Sequence, residues 1–276
     1  MRTVTLPTGE AVPALGLGTW YMGDRGSDHK AEADALRLGL DLGMTLIDSA
    51  EMYASGGAER VVGDALTGRR DDAFVVSKVL PHNASRRGTV TACEQSLGRM
   101  GIETIDLYLL HWPGAYPLED TIAAFEELRQ AGKIRHWGVS NFDTDEMEDL
   151  IAAGGEGCAT DQILYNLSRR GPEFDLLPWC AERRMPVMAY SPLEQGRLAG
   201  DRTVARIAAR YRISPMQVAL AWVLRRAGVI AIPKASNPAH VRENRAALDL
   251  RLTEQDLAEL DGAFPPPRRK QGLEIL

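Results

Sequence analysis

Eight short apolar runs, each followed by a stretch of helical period, constrain this chain more than any other feature. The runs span residues 15–18, 45–47, 74–76, 107–110, 134–139, 162–164, 187–189 and 229–232. Apolar positions recur at helical spacing over 30–42, 58–66, 86–100, 118–131, 144–153, 175–184, the double segment 203–211 and 215–226, and 238–248. Strands this short and this uniformly apolar are buried on both faces, and parallel strands need helical crossovers. The alternation therefore predicts an α/β fold with a closed parallel barrel. An open doubly wound sheet is the rival. Its GxGxxG after the first strand is absent here, where the chain reads Gly16-Leu17-Gly18-Thr19-Trp20. A length of 276 residues suits one such barrel, and no linker or low-complexity stretch divides it. Ahead of it, Val4-Thr5-Leu6 and Ala11-Val12-Pro13 flank the turn signal Thr8-Gly9-Glu10, which predicts a hairpin. After a last helix over 254–262, Pro265-Pro266-Pro267 and Arg268-Arg269-Lys270 predict a tail, within 264–276, that leaves the body.

Thirty-two basic against 38 acidic residues leave a net charge of −6, which argues against a nucleic-acid partner. Cys93, Cys158 and Cys180 form no CxxC and no even set, so neither a disulfide framework nor a zinc ribbon is expected. His29, His82 and His136 lack an HxH or HExxH partner, and no metal site is expected. The first seven residues lack the apolar stretch of a signal peptide, and no apolar run reaches membrane-spanning length. The expectation is a cytoplasmic monomer with no membrane partner.

In parallel barrels chemistry collects where strands end. Read that way, the runs end in Asp48, Lys78, His111, Ser140-Asn141, Gln162 with Tyr165-Asn166, Tyr190-Ser191, and Lys234. Each has an ordinary explanation when taken alone. Asp48 could cap a helix, Tyr53 could be a packing aromatic, Lys78 a solvated lysine and His111 a satisfied core histidine. Together at successive barrel positions they outline an acid–base site. Ser140, Asn141 and Gln162 offer the donors and acceptors that a carboxamide needs. Lys234 precedes Ser236-Asn237-Pro238, a helix start with free backbone N–H groups and thus an anion site.

Asp48-Ser49-Ala50-Glu51-Met52-Tyr53, Val76-Ser77-Lys78 and Leu109-Leu110-His111-Trp112 resemble three signature segments of the aldo/keto reductases. Gly138-Val139-Ser140-Asn141-Phe142, Gln162-Ile163-Leu164-Tyr165-Asn166 and Ile232-Pro233-Lys234-Ala235-Ser236-Asn237 resemble the cofactor segments of that family. The likeness runs in order from Gly16 to Asn244 and is greatest to compact bacterial members related to methylglyoxal reductases. It implies a (β/α)8 TIM barrel whose N-terminal β-hairpin closes the bottom, and NADPH-dependent reduction of small aldehydes and ketones. Tyr53 would be the general acid, Lys78 would lower its pKa, Asp48 would hold Lys78, and His111 would orient the carbonyl. The cofactor set would be Ser140, Asn141, Gln162, Tyr190, Ser191, Lys234, Ser236, Asn237, His240, Glu243 and Asn244, with Trp20 and Trp112 in the substrate pocket. Two residues depart from the common pattern: Asp161 stands where many members have Asn, and His240 where many have Arg. The short loops and brief tail predict a shallow, open mouth. Two other readings stay open. One is a nucleotide-binding regulatory subunit of the same fold with little turnover, and the other is a metal-dependent barrel hydrolase.

Overall fold

The parallel strands stand side by side in the order in which the chain makes them. A computed structural model describes residues 1–276. The hairpin strands β1 (Thr3–Thr5) and β2 (Ala11–Pro13) come first, then β3 (Leu17–Gly18), α1 (His29–Asp41), β4 (Leu46–Asp48) and α2 (Gly57–Leu66). There follow β5 (Phe74–Val79), α3 (Arg86–Met100), β6 (Ile105–Leu110), α4 (Leu118–Gln130), β7 (Ile134–Ser140) and α5 (Thr144–Ala152). The chain continues through β8 (Asp161–Leu164), α6 (Leu176–Glu182), β9 (Val187–Tyr190), α7 (Arg202–Tyr211) and α8 (Pro215–Leu224). It finishes with β10 (Val229–Ala231), α9 (Pro238–Ala247) and α10 (Glu254–Ala263).

Strands β3 to β10 pair in sequence order, all parallel. The ends of the sheet meet through parallel bridges from Leu15 to Ala231 and from Gly18 to Lys234, which closes the barrel. Gly18 is required there, because a Cβ at that position would lie 2.6 Å from the Ile232 carbonyl oxygen. Side chains alternate across each strand. Leu46, Phe74, Val76, Leu107, Leu109, Met188, Ile230 and Ile232 form one apolar cluster inside the barrel, and the hairpin's Leu6 and Val12 join it from below. The hairpin is thus a plug at the N-terminal end of the strands. A second, larger cluster fills the layer between strands and helices.

The helices begin where the sequence provides caps. Ser85 accepts from the Gly88 N–H at the start of α3, which ends at the left-handed Gly101. Ser214 and Gln217 form a capping box around Pro215 of α8. No helix is long and apolar enough to cross a membrane.

The tail departs from expectation. It does not leave the body but returns to the top of the barrel, where Ile275 and Leu276 line the large cavity. Charge holds it there: Lys270 Nζ lies 3.0 Å from Asp145 and 3.2 Å from Asp175, and Arg169 Nη1 donates to Glu274 at 2.6 Å. Leu273 packs against the outer core.

Candidate active site

The two-residue period that fills the barrel also delivers its chemistry. Two positions above the interior Leu46, Val76, Leu109, Gly138, Met188 and Ile232 stand Asp48, Lys78, His111, Ser140, Tyr190 and Lys234. At the C-terminal mouth the interior face therefore changes from apolar to polar. A cavity of about 1040 Å³ opens there, lined by Trp20, Asp48, Tyr53, His111, Trp112, Ser140, Asn141, Gln162, Tyr190, Ser191, Lys234, His240, Glu243 and Asn244. Three of the expected ends, Lys78, Tyr165 and Asn166, do not line the cavity. Lys78 lies within β5, completely buried behind the cavity wall.

The Lys78 ammonium is satisfied on every side. Nζ donates to both Asp48 oxygens at 2.9 Å, to the Ser49 carbonyl at 2.8 Å, and approaches the Tyr53 hydroxyl at 3.3 Å. Tyr53 comes from the turn after β4, where Ala54 and Ser55 have left-handed backbone, and its ring meets that of His111 edge-on at 5.8 Å. Trp20 lies 6.5 Å from the Tyr53 ring and stacks on Tyr21 at 4.6 Å.

Electrostatics at this centre differ from the sequence expectation. Burial, with the Asp48 carboxylate second, pushes the Tyr53 hydroxyl well above its ordinary value. The Lys78 ammonium does not bring it below that ordinary value, because Asp48 at contact distance offsets much of its charge. Burial draws Lys78 itself down, against the pull of Asp48. Burial and then the Lys78 charge drive His111 down to about 2, so its imidazole is neutral at any physiological pH. The centre presents a neutral phenol and a neutral imidazole, the Nδ1 of which is buried without a partner.

On the opposite wall the amide residues hold one another. Asn141, itself left-handed at φ 62°, donates through Nδ2 to the His111 carbonyl at 2.9 Å, and its Oδ1 accepts from the Tyr190 hydroxyl at 2.8 Å. That bond fixes the Tyr190 ring as a wall of the cavity. Ser140 Oγ donates to the Gln162 carbonyl at 2.8 Å. Gln162 Nε2 donates to Asp48 Oδ1 at 2.7 Å, a link between cofactor wall and acid–base centre that no sequence signal foretold. Gln162 Oε1 accepts from no protein group and remains available for a ligand N–H.

At the far end, His240, Glu243 and Asn244 share one face of α9, at the three- and four-residue spacing that aligns side chains on a helix. Lys234 is exposed beside them, with Nζ 3.2 Å from Ser236 Oγ. Two expected cofactor residues lie off the cavity lining. Ser236 is held by that contact, and the Asn237 side chain caps α9 by accepting from the Ala239 N–H at 2.8 Å. A flat, amide-bearing ring with a phosphate-bearing arm fits this arrangement. The amide set and Tyr190 lie at one end of a continuous cavity, and a cation beside a helix start lies at the other.

Several lining residues escaped the sequence reading. Tyr21, Met52, Ile275 and Leu276 add apolar walls around the mouth. The loop after β9 lies against the cavity with Gln195 and Gly196. It is held from beneath: Asn166 Nδ2 donates to Ser191 O at 3.0 Å and to Glu194 Oε2 at 2.7 Å, and Arg169 pairs with Glu194 at 2.9 Å. Asn166, read from the sequence as a residue at the end of the β8 run, thus supports the loop from below. Seven of the nine non-glycine residues with left-handed backbone lie on loops that follow barrel strands: Tyr21, Ala54, Ser55, Asn141, Ser191, Glu194 and Gln195.

Asp161 faces away from the barrel interior, into the helix layer. It is fully buried, with the Phe142 N–H 3.5 Å from Oδ1 and no partner on Oδ2. Burial pushes its carboxyl well above the ordinary range. A raised folded-state value means that the native state binds the extra proton, so stability falls as pH rises past the unfolded value of about 3.9. Asp161→Asn should therefore raise Tm at pH 7.5 by roughly 3–10 °C. The gain should shrink towards pH 4. Thermal melts of both proteins across that range check it, and a pH-independent difference would show that Asp161 is not the titrating group.

The comparisons agree with this geometry. The model of the aldo/keto reductase family matches residues 14–264. Among curated proteins, methylglyoxal reductase YeaE of Escherichia coli K12 is 53% identical, over 96% of each chain. Glyoxal reductase of Bacillus subtilis is 31% identical, over 94% of this chain and 91% of its own. Among solved structures, an aldo/keto reductase from Klebsiella pneumoniae in complex with NADP and acetate superposes with a TM-score of 0.97 at 50% identity, covering 100% of this chain and 99% of the other. A second structure of aldo-keto reductase from that organism, in complex with NADPH, does so equally well. With its barrel closed in sequence order and Asp48, Tyr53, Lys78 and His111 gathered at its mouth, this chain belongs to the aldo/keto reductase family.

Proposed function

We propose that this chain reduces small aldehydes and ketones, of the methylglyoxal type and simple aromatic aldehydes, to alcohols at the expense of NADPH. The observation that carries the reading is the Asp48–Lys78–Tyr53 unit facing His111 at the floor of a cavity of about 1040 Å³ whose lining extends to Lys234, His240 and Asn244. The E. coli relative is a methylglyoxal reductase, and the Klebsiella structures hold NADP and NADPH. When bound, the reduced nicotinamide supplies hydride to the carbonyl carbon. The rest falls to the protein. Gln162 Oε1, with Ser140 and Asn141, receives the carboxamide, and the Tyr190 ring supports the nicotinamide face. The Tyr53 hydroxyl gives its proton to the carbonyl oxygen as negative charge develops there. Neutral His111 hydrogen-bonds the same oxygen and aims it. Asp48 and Lys78 act behind them by holding Tyr53 in place. Trp20 and Trp112 wall the substrate side.

Loss of NADPH absorbance with methylglyoxal or a nitrobenzaldehyde tests the proposal. NADPH binding without turnover would favour a regulatory subunit. The same reading takes the chain to be a cytoplasmic monomer with no nucleic-acid or membrane partner, and light scattering checks the mass.

NADPH should be preferred over NADH. Lys234 and the start of α9 offer positive charge to a 2′-phosphate, with Ser236, Asn237 and His240 near it in the chain and Ser191 elsewhere in the cofactor cavity, and no acid stands between Lys234 and His240 to hold paired ribose hydroxyls. Glu243 and Asn244 are assigned to the adenine. Removing one charge-assisted phosphate contact costs roughly 10–100-fold in affinity. Lys234→Ala should lose that much for NADPH and little for NADH, while His240→Arg should tighten NADPH by adding a permanent charge. Fluorescence titration of both cofactors decides it, and equal losses for the two would show that this loop does not read the phosphate.

A further inference from the structure

A second cavity lies at the opposite end of the barrel. It measures about 500 Å³ and is bounded by β1, the segment between α6 and β9, and the turn between α8 and β10. Four of its lining residues are arginines (Arg2, Arg184, Arg225 and Arg226) and none is acidic. In a chain of net charge −6 this local excess runs against the overall field.

The guanidinium groups are poorly neutralised. No carboxylate lies within 4 Å of Arg2, Arg184 or Arg225. Arg226 has only Glu173, at 3.7 Å, and that carboxylate is already committed to Arg170 at 2.8 Å and to the Tyr165 hydroxyl at 2.7 Å. Arg251 adds its field to that of Arg2. Two of the four are nonetheless held in place. Arg225 lies 3.9 Å above the Trp222 ring and donates to the Trp222 carbonyl at 2.7 Å, while Arg2 donates to the Leu224 carbonyl. Beside them the turn before β10 leaves the Ala227 and Gly228 N–H groups without an acceptor, with Gly228 left-handed and nothing above it. The outer edge of β1 borders the same space, since the hairpin sheet has only two strands.

Like charges gathered without counter-charge repel one another unless an anion joins them, and guanidinium forks match the oxygens of phosphate and carboxylate groups. A concave site of this size suits a small molecule. We propose that this bottom cavity binds a small, multiply charged oxyanion of the diphosphate class, independently of the cofactor. The anion's oxygens bridge Arg2, Arg184, Arg225 and Arg226, and the Ala227–Gly228 amides receive one of them. No bond is made or broken there.

The test uses protein saturated with NADP⁺, so that the phosphate subsite at Lys234 is filled. Calorimetric titration with inorganic pyrophosphate should show one site per chain, roughly tenfold tighter than orthophosphate because more guanidinium groups are engaged. Arg184→Glu should weaken pyrophosphate at least tenfold while turnover and NADP⁺ affinity stay unchanged, since the Arg184 side chain is exposed, makes no ion pair and lies at the end of the barrel away from the active site. Arg226→Gln, a milder change, should weaken it less. Absence of heat with the NADP⁺-loaded protein would overturn the proposal. So would unaltered pyrophosphate binding in Arg184→Glu, or binding that is lost in Lys234→Ala instead.

Discussion

Tyr53→Phe should remove nearly all carbonyl reduction and leave NADPH binding intact. The phenyl ring keeps its edge contact with His111 and its approach to Trp20, so the pocket's shape survives. Only the hydroxyl is lost, and it acts when negative charge develops on the carbonyl oxygen, a transition-state interaction. General acid catalysis is typically worth about 10²–10⁴-fold, and kcat should fall by that much. The wild-type pH profile follows from the same group. Catalysis needs the protonated phenol, and burial with Asp48 holds that proton well above the ordinary tyrosine range. Reduction should therefore stay flat through neutral and mildly alkaline pH, whereas alcohol oxidation, which needs the proton removed, should rise with pH. Steady-state rates in both directions and a fluorescence titration of NADPH suffice. Near-normal turnover of the mutant would remove Tyr53 from its role.

Lys78→Met should damage both catalysis and the fold. The ammonium is fully buried and contacts both Asp48 oxygens, so its removal strands a carboxylate that retains only the Gln162 amide as donor. Breaking a buried pair in this way costs about 3–5 kcal/mol. At roughly 2–4 °C per kcal/mol, Tm should fall by about 6–20 °C. Activity should drop about 10²-fold or more as Tyr53 loses its support. Any surviving alcohol oxidation should demand a still higher pH, since the phenol then faces Asp48 alone. The double mutant Asp48→Asn/Lys78→Met separates the two effects, because it removes the stranded charge. It should recover much of the Tm and none of the activity. Recovery of both would make the pair structural only.

The strand–helix rhythm was legible because each element satisfies a local rule. The helical spacing of apolar residues over 86–100 matches the full span of α3, Arg86–Met100. The site's roster was legible as strand ends and family segments, but its wiring was not. Gln162 bonds to Asp48 across 114 positions of sequence, and no local pattern encodes such a pair. The return of the tail depends on Lys270 finding Asp145 and Asp175 on separate helices' ends, which a run of prolines and basic residues does not announce. The balance of charge around Tyr53 was illegible for another reason. A lysine beside a phenol lowers its pKa only as far as burial and a neighbouring carboxylate allow, and here burial and Asp48 outweigh it.

Backbone strain is distributed unevenly, and this bears on engineering. The mouth loops contain seven of the nine left-handed non-glycine residues, while the barrel strands below them are regular. Each such residue is held by its surroundings at a cost in free energy. Durability of the scaffold and durability of the activity are therefore separate design targets. Improved packing or capping among the helices would harden the part that is already sound. A variant meant to keep working in heat or solvent would have to be improved at the rim, where each gain in rigidity also changes the shape offered to the substrate.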